Sequence, residues 1–125
     1  MTNQYLQAFN NHFEEFIDDV VRVFPDDKEI ATASNALKKM RKVNPKLIIN
    51  VFIEYIQIPY GSQIMDNNIK FFLEKDYSDN LSNEILSKVN SIKGPIADMY
   101  VEEQTKVIKY LQNLCKLCEL YNNIN

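Results

Sequence analysis

The stretch from Phe24 to Lys46, FPDDKEIATASNALKKMRKVNPK, decides the fold. It reads as one helix held between two prolines, acidic where it begins and basic where it ends. Pro25 closes the preceding element, because a proline disfavours helical geometry in the residue before it. Asp26 or Asp27 can cap the helix, and Asp27 and Glu29 suit its positive N-terminus. Lys38, Lys39, Arg41 and Lys42 suit its negative C-terminus. Asn44 then caps a third helix whose first position is Pro45, where the missing N–H costs nothing.

Working outward, a first helix from about Asn3 to Phe24 carries Leu6, Phe9, Phe13, Phe16, Ile17, Val20 and Phe24 at steps of three and four. That is one apolar face of a 3.6-residue period. Glu14, Glu15, Asp18, Asp19 and Arg22 fall on its wet side. The second helix, about Asp27 to Arg41, has a thinner stripe of Ile30, Ala33, Leu37 and Met40. The third, Pro45 to Ile58, is apolar nearly all round, with one polar line of Lys46, Asn50, Glu54 and Gln57, as in a helix covered on most sides. Its valines and isoleucines also suit a strand; the regular polar line and the Asn-Pro start decide for helix.

Beyond it, Pro59-Tyr60-Gly61 is expected to break the chain. Short helices are expected at Ile64–Met65 and Ile69–Leu73, then a polar loop from Glu74 to Asn80. A helix opening at Asp79 or Asn80 would turn Leu81, Ile85, Val89 and Ile92 inward. Gly94-Pro95 reads as a stop and a restart. A last long helix, about Val101 to Tyr121, places Val107, Ile108, Leu111, Leu114, Cys115 and Cys118 inside, and the final NNIN reads as a frayed end. The sum is an all-α, compact bundle of five to seven helices. Short connections make neighbours mainly antiparallel, and the first, third and last helices are expected to form the core.

The totals agree with a single domain spanning 1–125. The chain is 46% hydrophobic and 25% charged, which is globular rather than disordered composition. Two glycines cannot build a Gly-rich phosphate loop, which excludes P-loop and dinucleotide-binding readings. Abundant Asn, Ile, Lys and Tyr with two arginines reflect an AT-rich genome more than a functional demand. MTNQYLQAF has no basic segment followed by an apolar run, so no signal peptide is read. Leu47 to Ile58 is too short and too interrupted to span a bilayer, so no membrane insertion is expected. Two cysteines in that setting are expected to be reduced thiols inside a cell.

Candidate chemistry is sparse. Cys115 and Cys118 form C-x-x-C, but a structural zinc needs four ligands, and the sole histidine, His12, lies a hundred residues away. The pair lies near a helix C-terminus, whereas redox pairs use an N-terminus to lower the thiol pKa. Two buried small hydrophobes are the better reading. His12 lies on the flank of helix one beside Glu15, with no nucleophile in reach by sequence. Glu14, Glu15, Asp18 and Asp19 lack the Glu-x-x-His repeats of carboxylate metal sites. They read as a solvated, acidic contact face. No metal and no cofactor is expected, and no enzyme.

The basic cluster Lys38, Lys39, Arg41, Lys42 and Lys46 is the strongest functional candidate. Residues 1–30 carry net −5, residues 31–50 net +5 and residues 51–125 net −3. Positive charge concentrated at one corner can meet phosphates. It can equally meet an acidic patch on a protein, a second copy of the chain included, or simply complement the helix end. No aromatic residue interleaves with the cluster, which weakens stacking on single strands. One arginine in the cluster weakens bidentate readout. A helix-turn-helix from helices two and three is disfavoured, because the third helix is too apolar to lie in a groove.

Four segments carry a resemblance: FNNHFEEFIDDVVRVFPDD (Phe9 to Asp27), TASNALKKMRKVNPKLI (Thr32 to Ile48), FFLEKDYSDNL (Phe71 to Leu81) and VIKYLQNLCKL (Val107 to Leu117). In that order they resemble a family of small uncharacterised helical proteins of nucleocytoplasmic large DNA viruses of algae and protists. The resemblance implies a viral origin, in the virion or the infected host cytoplasm, and brings no catalytic motif. The expectation is a non-enzymatic viral interaction or structural protein, virion-associated or an assembly factor, whose protein partner is a viral structural protein or a second copy. The alternative is a nucleic-acid-binding accessory factor using the basic corner.

Overall fold

Helices account for nearly all of the chain that the computed structural model describes, residues 4–68, 70 and 84–124. In chain order, the rods among the described residues are α1 (Gln4–Val23), α2 (Lys28–Val43), a third rod, α5 (Glu84–Ala97) and α6 (Val101–Ile124). The third rod consists of α3 (Leu47–Phe52), a π turn (Ile53–Gln57) and α4 (Ile58–Met65). Among the described residues there is no strand. The all-α bundle is therefore as the periodicity demands. The expectations for Ile69–Leu73, for the loop Glu74–Asn80, for the helix start at Asp79 or Asn80, for Leu81 and for the side chains of Ile85 and Val89 lie outside the described residues.

α1 organises the packing. Leu6, Phe9, Phe13, Phe16, Ile17 and Val20 are buried, while Phe24 packs half-buried against the same core. α6 makes the most extensive contact with α1. It runs antiparallel to it, as the pairs His12–Tyr110 and Arg22–Glu103 require. α2 returns along another flank of α1 and packs on α5 over its other side. Asp27 is the cap: its Oδ1 accepts from the N–H groups of Glu29 and Ile30 at 3.0 and 3.1 Å. Asn44 does not cap the third helix as expected: it ends α2, the third helix starts at Leu47 rather than Pro45, and Asn44 Oδ1 accepts from the Lys46 N–H at 3.1 Å within the intervening turn. The inward set of α6 is Val107, Leu111, Leu114, Cys115, Cys118 and Tyr121; Ile108 lies half-buried beside it.

Three further features depart from expectation. Pro59-Tyr60-Gly61 does not end the third helix, which continues to Met65. A proline inside a helix clashes with the carbonyl four residues back and offers it no N–H. Here the preceding turn is widened, with the Ile58 N–H donating to Ile53 C=O, and such a π turn is a recognised way to accommodate that conflict. The rod ends instead at Asn67, whose φ of 65° is the left-handed conformation asparagine tolerates. Gln112 of α6 donates to Ile64 C=O at 3.0 Å and to Asn67 Oδ1 at 2.9 Å, sealing that end.

Gly94-Pro95 is likewise inside a helix, which closes at Ala97. Gln104 Nε2 donates to Ile96 C=O and Ala97 C=O at 3.1 and 3.2 Å, so the cap is supplied by α6 rather than by the glycine. Neither glycine has a positive φ. A Cβ added at Gly94 meets nothing within 4 Å. Gly94→Ala should nevertheless change stability by less than about 0.5 kcal/mol, because the entropic gain from replacing a helix glycine is offset by the crowding of a helical Cβ against the ring of Pro95 that follows. A urea midpoint raised by the full gain of an unhindered helix position would refute this. Finally, α6 continues to Ile124, so the expected fraying from Asn122 does not occur within the described residues.

Candidate functional site

The basic cluster is divided by the packing of α2 on α1. The two helices are antiparallel, so the last turns of α2 lie over the middle of α1. Lys38 Nζ reaches Asp18 Oδ1 at 2.8 Å. Arg41 forks, with Nη1 on Glu14 Oε2 and Nη2 on Asn11 Oδ1 at 2.8 Å. Two of the five cations therefore face two acids of the expected contact face within one molecule. Lys39, Lys42 and Lys46 are exposed and make no ion pair among the described residues.

The acidic face is engaged on both sides. Glu14 and Asp19 are half-buried, not on the wet side, because α2 and α6 flank α1. Asp19 accepts from the Tyr110 O–H at 2.9 Å and pairs with Arg22 at 3.2 Å. Glu15 lies 3.5 Å from His12 Nδ1. The His12 ring rests against Tyr110 with centroids 4.9 Å apart. Burial, then the hydrogen bond to Asp19, hold the Tyr110 phenol protonated up to about 12. These contacts tie α1 to α6.

Between α1 and the end of α2 lies a cleft of about 410 Å³, lined in part by Leu6, Asn10, Arg41, Lys42 and Pro45. Asn10 is buried and its Nδ2 donates to Pro45 C=O at 2.9 Å, which fixes the α2–α3 corner on α1. Val43, at that corner, is 86% exposed, and Leu47 is 37% exposed. The corner is thus three exposed lysines, without an ion pair among the described residues, interleaved with apolar side chains. Asn10, Asn11 and Tyr110 were not legible as partners in the sequence, because the contacts join residues 30 or more apart. The exposure of Val43 had a signal, since it lies off the Ile30–Ala33–Leu37 stripe.

Cys115 and Cys118 are both buried and unbridged. Burial, then Glu119, pushes the Cys115 thiol up to about 11; burial, then Cys115 and Glu119, pushes Cys118 up further. Thiols so protonated are poor nucleophiles and poor metal ligands. Among the described residues no three His, Cys, Asp or Glu side chains converge as metal ligands, and no described helix is long and apolar enough to cross a membrane.

The division of the cluster is measurable. Arg41→Ala should cost about 1–3 kcal/mol, because it leaves Glu14 half-buried without its charged donor. Lys39→Ala should change stability by less than about 0.5 kcal/mol, as for an exposed charge without a partner. Equal effects of the two substitutions in urea unfolding would contradict the pairing. Comparison with family models, with curated proteins and with solved structures finds no match for this chain.

Proposed function

We propose that this chain is a non-enzymatic interaction protein of a large DNA virus, virion-associated or acting in assembly, and that it meets a protein partner through the α2–α3 corner. The observation that carries the reading is the split cluster: Lys38 and Arg41 are engaged by α1, while Lys39, Lys42 and Lys46 remain exposed around Val43 and Leu47. Unpaired charge governs how fast and how selectively a partner is met. Desolvated apolar anchors among the charges supply affinity. The viral assignment, with action in the virion or the infected host cytoplasm, rests on the resemblance of the four segments.

Two features favour protein over nucleic acid. The one arginine of the corner is committed to Glu14 and Asn11, so no guanidinium is free for bidentate contact to phosphate or guanine. Val43 and Leu47 have no use against a phosphate backbone. The acidic face of α1 plays a smaller part, its four acids having partners inside the chain.

A photo-reactive phenylalanine at position 43, with position 35 on the exposed side of α2 as control, tests this in the producing cell. Nuclease-resistant protein adducts are expected from position 43 alone, both in the cell and in its extract, where they should weaken as salt rises from about 0.05 to about 0.5 M. Nuclease-sensitive adducts would install the nucleic-acid reading instead. Equal adducts from both positions would remove the corner from consideration.

A further inference from the structure

The opposite end of the molecule carries a patch of the same construction and opposite sign. In the first half of α1, Asn10 holds Pro45 of the basic corner. At its C-terminal end, Val23 and Met99 line a common depression, and Arg22 approaches Glu103 at 4.0 Å. The twelve residues from Asn10 to Arg22 span about 18 Å of helix. The joint between α5 and α6 is therefore remote from the joint between α2 and α3. There Tyr100 is 84% and Val101 75% exposed. Asp98 and Glu102 flank them, exposed and without an ion pair among the described residues. Asp26, at the neighbouring turn after α1, is exposed in the same way.

Exposed apolar side chains scattered singly are ordinary. Two clusters at opposite ends, one set in lysines and the other in carboxylates that make no ion pair among the described residues, are complementary in both charge and polarity. We propose that the partner of the α2–α3 corner is a second copy of this chain, which presents its α5–α6 corner, so that copies join head to tail. Val43 and Leu47 of one copy pack against Tyr100 and Val101 of the next, while Lys39, Lys42 and Lys46 face Asp98, Glu102 and Asp26. Two different patches in contact form a heterologous interface, which repeats into rings or chains instead of closing as a two-fold dimer. This deepens the preceding reading and rests on it, since both require the basic corner to be an interface.

Sedimentation of the purified chain tests it. At low salt the weight-average mass should rise with concentration from the 14.7 kDa of one copy to beyond twice that value, and fall back at high salt. Two variants refine the test. K39E/K42E/K46E has two acidic ends, and D98K/E102K has two basic ends. Each alone should remain at the mass of one copy, and an equimolar mixture should regain at least a doubling of mass. Helical circular dichroism equal to the wild type's confirms that each variant folds. A wild type that stays at one copy at every concentration, a mass that stops at two copies, or a mixture that does not associate overturns the proposal. A wild type that stays at one copy while position 43 still captures another protein defeats head-to-tail joining and leaves the interaction reading standing. Absence of adducts from position 43 together with that mass defeats both.

Discussion

Phe9→Ala lowers the stability of this domain by about 3–5 kcal/mol, the range for removing a fully buried phenylalanine. Phe9 has no exposed surface. Its ring stacks on Phe13 at 6.0 Å and meets the edge of Phe52 on α3 at 5.4 Å. Losing it removes a large apolar side chain and two aromatic contacts, and leaves a cavity at the crossing of α1 with the third rod. A domain of this kind is stable by roughly 5–15 kcal/mol in total, so the loss is a sizeable share. For a chain of this length it corresponds to a fall in Tm on the order of 10–20 °C. In urea the midpoint should drop while the slope stays unchanged, because the surface exposed on unfolding is nearly the same. Phe24→Ala, at the half-buried end of the same stripe, should cost roughly a third as much. A loss below about 1.5 kcal/mol at Phe9 would mean that α1 is not the element on which the others are assembled.

That stripe was legible in advance because its information is local. The step between apolar residues fixes which face of a helix is buried, and a proline followed by aspartate fixes where the next helix starts. The expected buried face of α1 matches the observed one, apart from half-buried Phe24 and the addition of Asn10, a polar residue whose burial depends on a carbonyl 35 residues away. Pro59 and Gly94-Pro95 depart from their local signals for a related reason. Both are breakers by local rule, and both are overridden by context: a π turn absorbs the first, and Gln104 from α6 closes the helix that holds the second. Segregated charge was equally plain in the sequence. Its consequence was not, since only the antiparallel return of α2 decides that Lys38 and Arg41 meet α1 and that Lys39, Lys42 and Lys46 do not.

The packing thus does two jobs with one cluster. Arg41 and Lys38 set the register of α2 on α1, and Asn10 pins the following turn by its hydrogen bond to Pro45. A turn held this way presents Val43, Lys42 and Lys46 at fixed positions, which lowers the ordering cost of an interface built there.

Alkaline pH should unfold this protein well before it disturbs one whose thiols are exposed. In the folded state the Cys115 thiol, ordinarily titrating at 9.0, holds its proton to about 11, and Cys118 holds its own longer still. The unfolded chain releases both near the ordinary value. Above it the unfolded state binds fewer protons than the folded one, so stability falls as pH rises. The contribution is complete below about pH 9 and is lost as pH climbs through the folded values. For Cys115 alone the retained proton corresponds to roughly 2 kcal/mol by pH 11, and Cys118 adds to it in the same direction. Tyr110, held protonated to about 12, extends the fall above pH 10. Urea midpoints taken from neutral pH to about pH 11 should show this decline. C115A/C118A should begin about 1–2 kcal/mol less stable at neutral pH, for want of two buried sulfurs. It should then stay nearly level between pH 9 and 10, where the wild type falls. Adding Tyr110→Phe should remove most of the remaining slope. Wild type and C115A/C118A declining in parallel would show that the two sulfurs are not shut away from water on the inner face of α6.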